Sequence, residues 1–207
     1  DEPLGALDKR LRENTQFELM NIQEKLGVTF VVVTHDQEEA MTLSTRIAMM
    51  DAGRFVQIGT PTEIYEFPES RLVANFIGSA NMYEGRVTET GPDHVIVQSK
   101  EPECEFYVDH GFSVQEGNRV WVAVRPEKIR ISKSAPESQG SNQMKGVIDD
   151  IGYLGQQSIY RIRLADGTII KITSPNLSRP KEGVRALDWE DEIYLDWDPS
   201  SVVVLTK

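Results

Sequence analysis

Val31-Val32-Val33-Thr34-His35-Asp36-Gln37-Glu38-Glu39-Ala40 sets the reading of the chain. A β-branched run bounded upstream by Gly27 predicts a fully buried strand over Thr29–Val33, of the parallel kind. Asp36 is a good helix N-cap, and Glu39 stands three residues on in capping-box position. A helix is therefore expected from Gln37 to about Ser44. His35 falls in the turn at the carboxyl end of the strand, the edge where open α/β sheets bind ligands. Taken alone, a histidine in such a turn is more often structural than functional.

Upstream, Asp8 can cap a helix that Gly27 ends at Leu26. Leu11, Thr15, Leu19, Ile22 and Leu26 lie on one stripe of it at steps of three and four. Downstream, Arg46–Met50 and Phe55–Ile58 predict a hairpin across Asp51-Ala52-Gly53-Arg54. Thr60-Pro61-Thr62-Glu63 is a capping box with proline at the first helical position, and Pro68 ends that helix near Phe67. A second short helix carries Leu72, Val73, Phe76 and Ile77, with Gly78 following as its C′ residue. Gly78-Ser79-Ala80-Asn81 then marks a boundary, because short strands with turns follow.

The predicted strands are Tyr83–Thr88, His94–Gln98, Glu105–Val108, Val120–Val124 and Lys128–Ile131, then Gly146–Ile151, Ser158–Leu164, Thr168–Thr173, Glu192–Trp197 and Val202–Thr206. Ser132 to Gln143, rich in Ser, Pro, Glu and Gln, reads as a flexible loop. The two sets are one repeat. Val120-Trp121-Val122-Ala123-Val124-Arg125-Pro126 aligns without gaps onto Ile193-Tyr194-Leu195-Asp196-Trp197-Asp198-Pro199, and Ile129 and Ile131 fall on Val202 and Val204. Two copies of a small β-barrel, packed together, are expected.

The 207 residues carry 22 Lys+Arg against 33 Asp+Glu, a net charge of −11. That balance argues against nucleic acid or an anionic membrane as the main partner, since both call for a basic face. One cysteine excludes a disulfide framework and fits a reducing compartment. No run of apolar residues approaches a membrane span.

An acidic pair, a short loop, a helix and a strand ending in histidine resemble the second half of an ABC-transporter ATPase domain. Asp1-Glu2-Pro3 resembles the end of a Walker B strand, Gly5-Ala6-Leu7-Asp8 the D-loop, and Val33-Thr34-His35-Asp36 the switch-histidine motif. Their order and spacing, with the run Arg46 to Asn81, make the chain similar to ATPase subunits of bacterial ABC importers of the spermidine/putrescine type. The doubled β region resembles the OB-like regulatory domain of such subunits, often called the TOBE domain, which also carries a turn like Arg125-Pro126-Glu127. Read from its residues, that turn is a strand connection with a salt bridge.

The resemblance implies an α/β remnant of a P-loop ATPase domain over residues 1–81, followed by an all-β OB-like (TOBE) double-barrel domain over 82–207. It implies ATP and magnesium as cofactors of the parent protein. Asp1 would lie on the metal side, Glu2 would be the general base, His35 would reach the γ-phosphate, and Asp8 would act on nucleotide across a homodimer. Implied partners are a second copy and integral membrane permease subunits, with no nucleic acid, on the cytoplasmic face of the inner membrane.

The phosphate-binding pattern G-x-x-x-x-G-K-[ST] is absent from the sequence, as is a Leu-Ser-Gly-Gly-Gln signature. The chain thus reads as a fragment, inactive alone, of an ATP-hydrolysing subunit powering polyamine import. The alternative is a non-catalytic module for regulation, dimerisation or small-ligand sensing. Elsewhere, His94 and His110 lack metal-ligand spacing and read as structural or solvated. Cys104, between Glu103 and Glu105, is a poor nucleophile. Trp121, Trp189 and Trp197 read as core. Asp149, Asp150, Glu190, Asp191 and Glu192 read as solvated strand ends.

Overall fold

Local capping signals fix where the helices of the N-terminal part begin and end. The computed structural model describes residues 1–110, 114–136, 142–177, 179 and 187–206. They divide into two compact units, Asp1–Gly78 and Ser79–Lys207.

In the first unit α1 spans Lys9–Leu26, with the Asp8 carboxylate accepting from Leu11 N at 3.0 Å and Gly27 closing it at φ 62°. Glycine takes that left-handed conformation without a Cβ penalty. α2 is Gln37–Leu43, capped by Asp36, whose side chain accepts from the backbone N–H of Glu38 and Glu39. The return bond of a capping box is not made. Glu39 is instead buried and accepts the Thr34 hydroxyl at 2.6 Å, while Thr34 Oγ1 accepts the Asp36 N–H at 3.0 Å.

β1 (Ile47–Asp51) and β2 (Arg54–Gly59) form the expected antiparallel hairpin. Ala52 and Gly53 both have positive φ, 46° and 76°, as a tight primed turn requires. α3 (Pro61–Glu66) has the full Thr60/Glu63 capping box, and α4 (Arg71–Phe76) leads into Gly78 at φ 74°. Ile47, Met49, Ile64, Val73 and Ile77 form the core of this unit.

Two expectations fail here. Thr29–Val33 forms no strand, and among the described residues no parallel sheet exists to receive it. Val31 is 88% exposed, and the backbone bond holding the run to another segment is Glu2 N–H to Val33 C=O at 2.7 Å. A β-branched run favours extended backbone, but a strand also needs neighbours to fill its ladder. The apolar stripe of α1 is likewise uncovered, with Leu11, Ile22 and Leu26 exposed. α1, the extended run and the hairpin border an open groove of about 620 Å³.

The second unit is all β. Its first half holds β3 (Asn81–Thr90), β4 (Val95–Lys100), β5 (Glu103–Val108), β6 (Arg119–Val124) and β7 (Arg130–Ser132). The second half holds β8 (Asn142–Tyr153), β9 (Gln157–Arg163), β10 (Ile169–Pro175), β11 (Glu192–Trp197) and β12 (Val202–Leu205). The strands form two antiparallel five-stranded sheets, in the orders β12-β6-β3-β4-β5 and β10-β9-β8-β11-β7. The last strand of each half therefore belongs to the other half's sheet.

Arg130 on exchanged β7 is bound through Nε to the buried carboxylate of Asp196 on β11 at 2.8 Å. Lys128, expected within a strand, lies in a 3₁₀ turn at Pro126–Lys128 that recurs at Pro199–Ser201. Asn142 and Gln143, expected in the loop, open β8; residues 137–141 of that loop lie outside the described residues.

The halves match in detail. Gly85 and Gly146 sit where a Cβ would meet Val97 Cγ1 at 2.4 Å and Ile162 Cγ2 at 2.5 Å. β3 and β8 each carry a register shift, at Val87/Glu89 and Ile148/Asp150. The Asn81 side chain accepts from Lys171 N at 2.9 Å and donates to Lys171 C=O at 2.8 Å. Asn142 does the same to Tyr107, at 2.7 and 2.9 Å. Each asparagine stands in for one ladder rung on edge strand β10 or β5, tying it to the other half.

Asn142→Ala removes both bonds and leaves the Tyr107 backbone groups unmatched. It is expected to destabilise the protein by about 1–3 kcal/mol. The check is a lower urea midpoint with an unchanged m-value; an unmoved midpoint would mean that water replaces the clasp without loss.

Candidate functional site

Glu2 and His35 come together although 33 positions separate them in the chain. Their Oε1 and Nδ1 lie 2.6 Å apart, with side chains 55% and 78% exposed. Glu2 holds a left-handed backbone, φ 44°, uncommon for a residue with a Cβ. Its N–H bonds Val33 C=O, so backbone and side chain both hold it to the segment carrying His35. A carboxylate facing Nδ1 favours the proton on that nitrogen, which leaves Nε2 directed away from the pair.

Asp1 is exposed beside this pair in sequence. Asp8 is occupied in capping α1. Residues 2–7 curl into a turn, with Gly5 N–H to Glu2 C=O at 3.4 Å and Leu7 N–H to Leu4 C=O at 3.1 Å, over the buried Leu4. Sequence reasoning missed Arg12. Its Nη1 donates to the Asp36 carboxylate at 2.9 Å and its Nη2 to Leu7 C=O at 3.2 Å. No local pattern signals that pair, because Arg12 and Asp36 are 24 positions apart.

Carboxylates and an imidazole are donor types that a magnesium nucleotide site uses. The carboxylate of Asp1 is a hard oxygen ligand, and the Glu2–His35 pair can exchange a proton or meet a phosphate oxygen. Among the described residues no three His, Cys, Asp or Glu side chains converge to hold a metal. The sequence holds no G-x-x-x-x-G-K-[ST] loop to cradle the phosphates.

In the second unit Cys104 is pushed up to about 12, by burial first and then by Asp166 and Glu105, so it is an inert thiol. Trp197 is buried, whereas Trp189, expected in the core, is 47% exposed. Asp149 and Asp191, expected to be merely solvated, are paired with Arg163 at 3.0 Å and Lys133 at 2.8 Å. Arg125 is buried, and its Nη1 points to Ser79 C=O at 3.4 Å. Among the described residues no helix is long and apolar enough to cross a membrane.

His94 has a structural setting. It stacks on Tyr107 with ring centroids 5.4 Å apart and bonds Glu89 at 3.1 Å and Asp93 at 3.2 Å. Those two carboxylates, Glu89 first, raise its pKa in the folded state. Its contribution to stability is therefore full below the unfolded value of about 6.5 and is lost as pH rises through the raised folded value. The melting temperature of the wild type should fall over that window relative to that of His94→Gln. Parallel pH profiles for the two proteins would remove His94 from this role.

Residues 122–205 match the family model of the TOBE domain. The putrescine transport ATP-binding protein PotG of Escherichia coli is 46% identical over 206 residues, covering 100% of this chain and 54% of PotG. The spermidine/putrescine import ATP-binding protein PotA of Thermotoga maritima is 37% identical over 211 residues, covering 99% of this chain and 55% of PotA. The chain thus spans about half the length of these relatives.

Among solved structures, the cytoplasmic molybdate-binding protein ModG superposes with a TM-score of 0.51 at 15% identity, over 60% of this chain and 94% of ModG. At that identity the likeness concerns fold, and it supports an OB-like all-β architecture. Along its whole length the chain is a homologue of the ATP-binding proteins of spermidine/putrescine importers, and it carries their TOBE domain at its C-terminal side.

Proposed function

We propose that this chain is the C-terminal part of an ATP-hydrolysing subunit that powers polyamine import. Residues 1–81 would complete its P-loop ATPase domain and 82–207 would form its regulatory TOBE domain. The observation that carries the reading is the Glu2–His35 pair at 2.6 Å, in a chain homologous throughout to polyamine-import ATP-binding proteins.

In that subunit Asp1 would hold magnesium and Glu2 would accept a proton from water at its carboxylate. His35 would meet the γ-phosphate through Nε2, and Asp8 would act on nucleotide across a homodimer. Bound Mg-ATP supplies the phosphoryl group and the metal charge that offsets its anionic oxygens. With Nδ1–H given to Glu2, His35 Nε2 can donate a hydrogen bond only as imidazolium; as neutral imidazole it accepts. The subunit would work with membrane permease subunits at the cytoplasmic face of the inner membrane.

A second reading, a non-catalytic regulatory module, is favoured by the lack of a G-x-x-x-x-G-K-[ST] phosphate loop in this sequence. Calorimetric titration with Mg-ATP separates the two. The full-length subunit is expected to bind and hydrolyse ATP, and the 207-residue chain to show no low-micromolar binding. Tight binding by the short chain would overturn the division of the site, and an inert full-length subunit would overturn the ATPase reading.

A further inference from the structure

We propose that Arg12 is a positioning residue for the Glu2–His35 pair, acting as a brace between the two segments that carry them. The inference rests on the ATPase reading only for its kinetic consequence. Arg12 touches neither Glu2 nor His35. Its guanidinium instead spans Leu7 C=O, at the end of the turn that begins with Glu2, and the Asp36 carboxylate, one residue past His35.

Three ties thus lace the segments together: Glu2 N–H to Val33 C=O, Glu2 Oε1 to His35 Nδ1, and the Arg12 bridge. The first two both depend on Glu2, which holds a left-handed backbone and so needs its surroundings to keep it there. The third is independent of Glu2. It is anchored in α1, an 18-residue helix capped at both ends, and so gives a reference that does not run through Glu2.

Asp36 is held doubly, since its other oxygen caps α2 through Glu38 and Glu39 N–H. Displacing Asp36 would move the turn that points His35. The chemistry of the bridge also requires arginine. A planar fork can donate to a carbonyl and a carboxylate along two directions at once, whereas the compact lysine ammonium on a flexible stem cannot hold both with the same geometry.

The bridge is about one-third exposed at each partner, so its removal should leave global stability nearly unchanged. A small misplacement of reacting groups can still lower turnover strongly. Position and stability should therefore separate in Arg12 variants.

The direct test uses the 207-residue chain and nitrogen-15 NMR of the His35 ring, with the pH raised until the ring nitrogens report neutral imidazole. Wild type should show the Nδ1–H form, and Glu2→Ala, which removes the acceptor, should show what loss of the pair looks like. Arg12→Ala should move toward the Glu2→Ala signature with an unchanged melting temperature, and Arg12→Lys should lie between. In the full-length subunit, Arg12→Ala should lower kcat about tenfold with KM for ATP within about twofold.

An Arg12→Ala chain with the wild-type tautomer overturns the inference, whatever its turnover. A shifted tautomer with unchanged kcat upholds the brace and counts instead against Glu2 and His35 in ATP hydrolysis. A melting temperature that falls together with the tautomer in Arg12→Ala, and in Arg12→Lys as well, would assign Arg12 to folding and overturn the inference.

Discussion

His35→Ala in the full-length subunit is expected to lower ATP turnover by about 10²–10³-fold, the loss seen when one preorganised charge-stabilising donor is removed. Alanine takes away the nitrogen proposed to face the phosphate and leaves Glu2 without its partner, so orientation and electrostatics fail together. The fold should survive, because His35 is 78% exposed at its side chain and lies outside the core of its unit. A decrease in kcat with little change in KM for ATP, in a protein that melts like the wild type, is the expected signature. Near-normal turnover would remove His35 from catalysis and leave its bond to Glu2 as local structure.

The elements fixed by short-range chemistry were legible in the sequence. Asp8, Asp36, Thr60 and Gly78 each cap or close a helix from within about three residues, so local pattern suffices to place them. The β duplication was legible for a different reason: two aligned copies of a strand, a proline turn and a strand place 3₁₀ turns at Pro126 and Pro199 alike.

What the sequence misassigned is non-local. Val31–Val33 has the composition of a buried strand, but composition does not supply the neighbour, and the run stays exposed. Strand exchange was illegible because β7 and β12 carry the same apolar pattern whichever sheet receives them. The asparagine clasps left a trace that could have been used, since Asn81 and Asn142 each precede Gly85 and Gly146 by the same interval. The Glu2–His35 assignment came from a family resemblance, and Arg12 was missed because its carboxylate partner, Asp36, lies 24 positions away.

Strand exchange yields the largest expected effect on stability. Ending the chain at Ser201 removes β12, and on a simple repeat view it should merely shorten the second copy. In the structure it opens the first sheet, because Val202, Val203, Val204 and Leu205 pair with Val124, Ala123, Val122 and Trp121 on β6. Val202, Val204 and Leu205 are all buried. Three such side chains contribute about 5–9 kcal/mol by burial alone, comparable to the whole stability of a domain. The truncation also bares the outer edge of β6, an invitation to pair with another chain. The truncated protein is therefore expected to lose its cooperative thermal transition in the β unit and to aggregate, while an equal cut from the N-terminus, which lies in the other unit, should leave that transition in place. A cooperative transition within a few degrees of the wild type after removal of β12 would mean that the first sheet closes without the exchanged strand.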